Sequence, residues 1–432
     1  MAVWKPFRGI RPVETYAEQI AALPYDVYNR EEAQAEVAAH PMSFLRMDRA
    51  EVNFPPEVDA YDPRVYAEAN RLFRQAIEQG YYLQDTEEQY YIYELTMNGR
   101  VQNGIVGCAS IEDYENNIIR KHENTLPAKE QDRIHHVDAM SAQSGPIFLS
   151  YRSNPTLKAL VSSAKQAPLY DFVAEDQVRH RMFAVTDPEQ IQAITEAFQE
   201  IPCLYIADGH HRAASAVQVG KMRRAQHEGS VIPTTDDASG QDKNRKTAEY
   251  HYFLSVAFPE EELQIMDYNR VVSDLNGLSP EVFLDALSEV CHITEIGALE
   301  MEDDASKDFH PTKKGTFSMY LRGVWYRCAF LPNTASEDAV ESLDVARLQT
   351  HVLDGILGIY DPKTSSRIQF VGGIRGLQTL EEMTGDGVAF AMYPTSMQEL
   401  FRVADEGRLM PPKSTWFEPK LRSGLVIHEI DR

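Results

Sequence analysis

The stretch Cys203–Val219, CLYIADGHHRAASAVQV, decides the fold prediction for this chain. Its first five residues are apolar or nearly so and predict a buried strand, whereas its alanine-rich end predicts a helix. Between them, Asp208 and Gly209 predict a tight turn. The backbone N–H groups of a helix's first turn lack helical partners, and together with the helix dipole they favour an anion. The stretch therefore predicts a strand–turn–helix unit whose turn can handle phosphate.

The residues of this turn carry the candidate chemistry. His210 or His211 can donate to a phosphate or move a proton near neutral pH. Arg212 can contact phosphate oxygens through two hydrogen bonds, and Gly209 lets a ligand approach the backbone. Asp208 can hold a magnesium ion or accept a hydroxyl proton. A plain helix cap with a polar first turn is the alternative, but burying these groups together is costly unless they face a pocket.

A second polar cluster stands before and within a helix predicted at about Pro127–Ser141. Its members are Arg120, Lys121, His122, Glu123, Asn124, Thr125, Lys129, Asp132 and Arg133. Glu123 is the candidate general base, and the candidate phosphate contacts are Lys121, His122, Lys129 and Arg133. His135 and His136 follow one turn later, but no third metal ligand stands at a known spacing. The alternative interpretation is a solvated, charged helix face.

A third cluster lies in the stretch MPPKSTWFEPK at residues 410–420. Lys413, Ser414, Thr415 and Lys420 are predicted to surround a phosphate, although the glycine framework of a Walker A loop is absent. The alternative is a surface loop with its aromatic residues packed inward. Residues 372–376, GGIRG, form a further glycine-rich turn. No GxSxG, HExxH, kinase DFG or Rossmann GxGxxG motif is present, so serine hydrolases, zincins and dinucleotide dehydrogenases are unsupported.

Composition limits the classes of partner. The chain has 432 residues, 43% of them apolar, and a formal net charge of −24. This charge argues against nucleic acid or an anionic membrane as the main partner, but it allows a small anionic substrate in a local basic pocket. No apolar run approaches the roughly 18 residues of a membrane span, and no signal-peptide core is present. The four cysteines form no CxxC pair, so reduced thiols and a cytoplasmic location are expected.

Strands and helices alternate along the chain, which predicts an α/β or α+β class with mixed sheets and flanking helices. Three regions are predicted: an N-terminal α/β region at 1–110, a central region at 111–260 carrying the DGHHR turn, and a C-terminal α/β region at 261–432. Hairpin turns are predicted at Asn98-Gly99 and Arg322-Gly323. The polar segment 228–249 is predicted to be a mobile loop.

Six motifs resemble those of one bacterial and archaeal family, the domain-of-unknown-function family one-zero-one-five. They are PFRGIRP at 6–12, LPYDVYNREEA at 23–33, KHENTLPAKEQDR at 121–133, IADGHHR at 206–212, YNRVV at 268–272 and MPPKSTWFEPK at 410–420. They occur in the family's order, and the resemblance covers nearly the whole chain. The family by itself implies no activity.

The strand–DGHHR–helix unit also looks like the nucleotide-binding motif of the ParB and sulfiredoxin superfamily, which includes the free-serine kinases. This resemblance implies a ParB/sulfiredoxin-like core, with ATP or ADP and Mg²⁺ as cofactors. The reaction it implies is phosphorylation of free L-serine or a similar small hydroxyl metabolite. Asp208, His210, His211 and Arg212 match the motif directly. Glu123 does not align with the upstream acidic base of those kinases, so its role is a hypothesis from local chemistry.

Two other functions fit the same turn. One is a non-catalytic nucleotide- or metabolite-binding regulatory protein, and the other is a phosphohydrolase acting on a phosphorylated metabolite. In each case the expected partner is a small molecule rather than nucleic acid or membrane. The sequence predicts no particular oligomeric state.

Overall fold

The computed structural model describes residues 1–230, 248–299 and 309–431. The chain forms two compact units. The first unit comprises Met1–Leu263 and Pro419–Arg432, and the second comprises Gln264–Glu418. The second unit is therefore an insertion in the chain of the first. The three regions predicted from the sequence stay a prediction. The loop predicted at 228–249 falls mainly outside the described residues.

The strands of the first unit vary from two to eleven residues. They are β1 (Trp4–Lys5), β2 (Ile10–Pro12), β3 (Tyr82–Gln84), β4 (Tyr90–Met97), β5 (Arg100–Ser110), β6 (Ile119–Arg120), β7 (Ala142–Gln143), β8 (Ile147–Tyr151), β9 (Tyr170–Val173), β10 (Arg179–Val185), β11 (Leu204–Asp208), β12 (Tyr252–Pro259) and β21 (His428–Glu429). Its α-helices are α1 (Ala17–Ile20), α2 (Arg30–Ala39), α3 (Leu45–Asp48), α4 (Pro63–Glu78), α5 (Ile111–Glu115), α6 (Pro127–Met140), α7 (Pro155–Ala164), α8 (Pro188–Gln199) and α9 (His210–Ser230).

A nine-stranded mixed sheet organises the first unit. Its order is β6-β11-β8-β12-β5-β4-β10-β9, and β1 pairs with β5. Strand β11 runs parallel to β6 and antiparallel to β8, while β12 runs parallel to β8. The helices flank this sheet, and one large apolar cluster joins sheet residues such as Leu149, Ile206 and Phe253 to residues of α7, α8 and α9. The predicted class of mixed sheets with flanking helices is confirmed.

A second apolar cluster lies among the N-terminal helices. It contains Phe44, which precedes α3, Leu45 of α3, Phe73 of α4 and Met140 of α6, all at 0% relative exposure. Helix α4 begins where the Asp62 side chain caps it and Pro63 occupies its first turn. Helix α4 contacts both α3 and α6, and α6 packs along α9, the helix that begins with the DGHHR turn.

The second unit is built on a six-stranded sheet of order β15-β17-β16-β19-β14-β18. Its strands are β13 (Ile265–Met266), β14 (Tyr268–Val272), β15 (Cys291–Gly297), β16 (Thr316–Leu321), β17 (Val324–Phe330), β18 (Ile368–Gly372), β19 (Val388–Met392) and β20 (Trp416–Phe417). Its α-helices are α10 (Pro280–Ser288), α11 (Asp344–Leu348), α12 (Gly376–Thr384) and α13 (Met397–Asp405), and a π-helical segment, Gln349–Asp354, follows α11.

Both predicted hairpin turns are confirmed. Asn98 and Gly99 have φ of 52° and 78° between β4 and β5, and Arg322 and Gly323 have φ of 53° and 87° between β16 and β17. Positive φ at both central residues is the geometry that matches the twist of a hairpin. The cysteines also behave as predicted core thiols, because all four are buried and form no disulfide. None of the helices in the described part of the chain has the length and apolar character to cross a bilayer.

A buried charge network ties three distant parts of the first unit together. Glu249 accepts from Lys5 Nζ at 2.5 Å and pairs with His428 Nε2 at 2.8 Å. Burial opposes ionisation of Glu249, but the hydrogen bonds and charges of His428 and Lys5 outweigh it and lower the pKa of this carboxyl below its ordinary 4.5. The network therefore stabilises the folded state when Glu249 is ionised.

Replacing Glu249 with glutamine is expected to lower the free energy of unfolding at pH 7 by about 1.5–3 kcal/mol. The unfolded glutamate binds a proton at higher pH than the folded one, so this contribution is present above about pH 4.5 and is lost as the pH falls below it. Urea unfolding of both proteins from pH 7 to 3 tests this. A constant difference across that range would contradict it.

Candidate functional site

The DGHHR turn forms as the sequence predicts. Strand β11 ends at Asp208, Gly209 has φ +92°, and α9 begins at His210. A Cβ atom on Gly209 would lie 3.0 Å from Nε and Nη2 of Arg212. Glycine is therefore required here for two reasons: an L side chain rarely adopts this φ, and it would also press on the guanidinium.

Asp208 lies between two cations. Its Oδ2 is 3.4 Å from Arg212 Nη2 and 3.7 Å from Lys420 Nζ, and both cationic side chains are 12% exposed. Arg212 is fixed further because its Nη1 donates to the carbonyl of Pro146 at 2.7 Å. Two cations and one carboxylate leave net positive charge beside the N-terminus of α9. This arrangement suits an anion with several oxygens.

The histidines of the turn act as neutral donors. His210 is buried, and its ring meets that of His122 edge to face at 4.6 Å. Burial lowers the pKa of His122 to about 4 and that of His210 well below its ordinary value. The backbone N–H of His122 donates to His210 Nε2 at 3.4 Å, so the proton of this neutral ring is on Nδ1. His210 can thus donate a hydrogen bond to an anion but brings no positive charge.

His211 has a comparable tautomer. The backbone N–H of Leu126 donates to its Nε2 at 2.9 Å, which leaves Nδ1 as the donor atom of the neutral ring. Leu126 immediately precedes α6, so this contact ties the second predicted cluster to the turn. The structure therefore brings the KHENTLPAKEQDR and DGHHR motifs together.

Because of their burial, His122 and His210 are expected to stay neutral from pH 8 down to pH 5. Long-range ¹H–¹⁵N spectra of the imidazole nitrogens, recorded across this range, test the expectation. In urea the same rings should titrate near 6.5, the unperturbed value. A midpoint between pH 5 and 8 in the folded protein would show that a charged histidine is present at the turn.

The other residues of the second cluster lie on helix α6 or in the segment before it. Helix α6, Pro127–Met140, confirms the predicted helix. Lys121 is exposed, with Nζ 5.1 Å from the centre of the Tyr114 ring, and Glu123 is half-buried in the bend after β6. Lys129 is exposed and lines a cavity of about 190 Å³. The role of Glu123 as general base stays a prediction.

Arg133, like His122, is a buried member of this cluster. Its guanidinium pairs with Asp132 at 2.7 Å and lies 4.0 Å from the centre of the Tyr25 ring. It lines two adjoining cavities, one of about 30 Å³ that also contacts Arg212 and one of about 190 Å³ that also contacts Lys129. Four residues are shared by both walls: Tyr25, Asp48, Arg133 and His136. Arg133 therefore lines a cavity next to the turn.

The third cluster divides between the two units. Lys420 belongs to the first unit and lies beside Asp208, whereas Lys413, Ser414 and Thr415 belong to the second. There Ser414 donates to the Pro411 carbonyl at 2.7 Å, and Arg270 of the YNRVV motif donates to the Lys413 carbonyl at 3.1 Å. The GGIRG turn lies in the same unit, where a Cβ on Gly372 would meet Trp416 at 2.8 Å. The YNRVV, MPPKSTWFEPK and GGIRG motifs therefore contact one another within the second unit.

The donor set limits which metal can bind. Among the described residues no group of three or more His, Cys, Asp or Glu side chains is arranged to hold a metal ion. His135 contacts Gln131 and His136 contacts the Met47 carbonyl, so the two rings have different partners. The magnesium site predicted at Asp208 stays a prediction: Mg²⁺ commonly takes one or two carboxylates and completes its shell with water and substrate phosphates.

Two residues that line these cavities, Tyr25 and Asp48, were not predicted from the sequence. Tyr25 stacks on Arg133, and its PYDVY motif was the available signal. Asp48 lines both cavities at 4% exposure and accepts a hydrogen bond from Ser144 at 3.1 Å. No local pattern marks Asp48, because it is a single carboxylate at the end of the four-residue helix α3.

The fold is that of a mixed α/β protein in which a strand–turn–helix unit carries the DGHHR residues. A family model described as a protein of unknown function, DUF1015, matches residues 4–346, and the chain belongs to this family. No curated protein matches it.

The solved structures with a distant likeness include three from different sources. A free serine kinase in complex with AMP is 11% identical, with 78% of this chain and 93% of that chain covered and a TM-score of 0.32. A conserved hypothetical protein from Pyrococcus furiosus is 13% identical, with coverage of 73% and 91% and a TM-score of 0.32. SbnI from Staphylococcus aureus, truncated at its C-terminus, is 10% identical, with coverage of 73% and 85% and a TM-score of 0.34. At such scores the chemistry of this chain must be argued from its own residues.

Proposed function

We propose that the protein is a phosphotransferase that moves a phosphoryl group from ATP or ADP to the hydroxyl of L-serine or a similar small metabolite. The observation that carries the proposal is the turn at which Arg212 and Lys420 bracket Asp208 at the N-terminus of α9. Phosphoryl transfer needs mainly positioning and neutralisation of charge on the phosphate oxygens. These residues supply both.

The roles follow from the contacts. Arg212 and Lys420 neutralise phosphate charge, and the first N–H groups of α9 together with the Nδ1–H atoms of His210 and His211 donate to phosphate oxygens. The acceptor hydroxyl oxygen forms a bond to phosphorus while the bond from phosphorus to the leaving nucleotide oxygen breaks. The hydroxyl proton passes to a carboxylate. Mg²⁺, held by Asp208 and the nucleotide phosphates, would add positive charge when bound.

A direct assay tests the reaction. Purified protein is incubated with L-serine, Mg²⁺ and either ATP or ADP, and phosphoserine is measured by mass spectrometry. The His210→Ala variant should form product about 10²-fold more slowly, because a donor to the phosphate is lost. His227→Ala, an exposed histidine on the same helix, is the matched control and should retain the wild-type rate.

The outcomes separate the three functions. Phosphoserine above the His210→Ala level supports transfer. Nucleotide binding by calorimetry with no product over hours would replace transfer with a regulatory binding role. Phosphate release from a phosphorylated metabolite without an acceptor would indicate a phosphohydrolase.

A further inference from the structure

We infer that the cavity of about 190 Å³ beside Arg133 is the binding site for the phosphate acceptor, and that Asp48 takes the proton from the acceptor hydroxyl. This inference rests on the proposed phosphoryl transfer. It assigns the base to a residue outside all the motifs, in place of Glu123.

The volume of the cavity limits the size of the ligand that it can bind. A protein cavity of about 150 Å³ is large enough to hold benzene. The cavity beside Arg133 is somewhat larger, so it suits a compound of about that size and is too small for a nucleotide. Its smaller neighbour, of about 30 Å³, has room for about one or two water molecules. Donor nucleotide and acceptor are thus bound in different places.

The side chains that line the cavity are suited to a polar compound. Asp26 and Lys129 are exposed charged groups of opposite sign along it, and the exposed Tyr61 also lines it. Two internal ion pairs, Arg49 with Glu51 and Arg133 with Asp132, are already satisfied by their partners. The class of ligand that fits this wall is a small hydroxyl compound that carries an ionised group.

Asp48 is the carboxylate in the best position to act as the base. It is buried and lines both cavities, so it lies between the larger cavity and Arg212. Its Oδ1 accepts from Ser144 at 3.1 Å. Its other oxygen, Oδ2, is the atom to which we assign the proton of the acceptor hydroxyl.

The other carboxylates of the wall are less suited. Both oxygens of Asp132 are occupied, Oδ1 by the Tyr66 hydroxyl at 3.0 Å and Oδ2 by Arg133. Glu51 is held by Arg49, and Asp26 is exposed. Asp48 is therefore the one we assign. In the step, the proton moves from the acceptor hydroxyl to Asp48 Oδ2, the hydroxyl oxygen bonds to phosphorus, and the nucleotide leaves with the electron pair.

Asp48→Asn tests the assignment. It keeps the shape and the Ser144 contact but removes the base, so kcat should fall by about 10²–10⁴-fold. The Kd for ADP, measured by calorimetry, should change by less than about twofold, since the nucleotide is bound elsewhere. Asp113→Asn is the matched control: Asp113 is another buried aspartate of the first unit, accepts from Val3 N–H, and lines neither cavity. It should keep the wild-type kcat.

A second variant tests the cavity without touching the base. Ala60 is partly exposed on the wall, so Ala60→Phe fills the cavity without crowding the core. The KM for the acceptor should rise at least about tenfold, while the Kd for ADP stays unchanged. This variant also separates an acceptor site from a nucleotide site, because filling a nucleotide site would weaken ADP instead.

The outcomes distinguish the assignment of the acceptor site and the base from the phosphoryl-transfer reaction itself. An active Asp48→Asn enzyme overturns Asp48 as the base and leaves phosphoryl transfer standing. An unchanged acceptor KM in Ala60→Phe overturns the acceptor site in the same way. A wild-type protein that phosphorylates no hydroxyl compound overturns the transfer reaction, and the roles assigned here fall with it.

Discussion

Replacing Arg212 with alanine is expected to lower kcat/KM for phosphoryl transfer by about 10²–10³-fold, because preorganised charge at the phosphate is lost. Arg212 is held at 3.4 Å from Asp208 and 2.7 Å from the Pro146 carbonyl, so its position is fixed before a ligand binds. Steady-state kinetics of phosphoserine formation measure the loss. Calorimetry with ADP should show weaker nucleotide binding as well.

Arg224→Ala is the matched control for this variant. Arg224 lies on the same helix, pairs with Glu112 at 3.7 Å and contacts His251 at 3.0 Å, away from the turn. It should retain wild-type kinetics. Arg212→Lys should recover part of the lost rate, since it restores charge without the two-pronged geometry. Equal activity of Arg212→Ala and wild type would exclude the turn as the phosphate site.

Replacing Gly387 with alanine is expected to destabilise the second unit by at least about 3 kcal/mol. A Cβ at this position would lie 1.7 Å from the carbonyl oxygen of Val272. That oxygen belongs to the backbone of β14, which pairs with both β18 and β19, so it cannot move without distorting the sheet. Of the described glycines, Gly387 is the one whose added Cβ would lie closest to a backbone atom.

Tryptophan fluorescence during urea unfolding measures this change. Two of the three tryptophans, Trp325 and Trp416, lie in the second unit, and Trp325 is fully buried. Gly407→Ala is the control, because it has the same chemistry and open space around the Cβ position. Its φ of +67° should cost only about 1–2 kcal/mol. Equal losses for both variants would mean that the sheet yields to the added methyl group.

The local patterns of the chain predicted local structure well. The apolar run before Asp208 and the alanine-rich run after Arg212 predicted β11 and α9, and the two hairpin turns followed from the conformational preferences of glycine and asparagine. Each of these elements is determined by residues that are neighbours in sequence. The bulk composition likewise predicted buried, unbridged cysteines.

The site itself depends on contacts that no local pattern reveals. Asp48 gains its candidate role from burial beside Ser144, which is 96 positions away. The 410–420 motif reads as one continuous cluster, yet the boundary between the units falls at Glu418 and Pro419. Only Lys420 therefore reaches the turn within the first unit. The sequence also predicted that His210 or His211 can move a proton near neutral pH, whereas burial lowers the pKa of His210 well below its ordinary value.

The segment that completes the first unit, Pro419–Arg432, is synthesised after the second unit. Lys420 and strand β21, which pairs with β7, are translated only after the whole of the second unit. At about 5–20 residues per second, the ribosome needs roughly ten to thirty seconds to cross that insertion. During this interval a nascent chain has Asp208 and Arg212 without Lys420. Unfinished chains on the ribosome thus lack one of the two cations beside Asp208, and the proposed phosphate site becomes complete only late in translation.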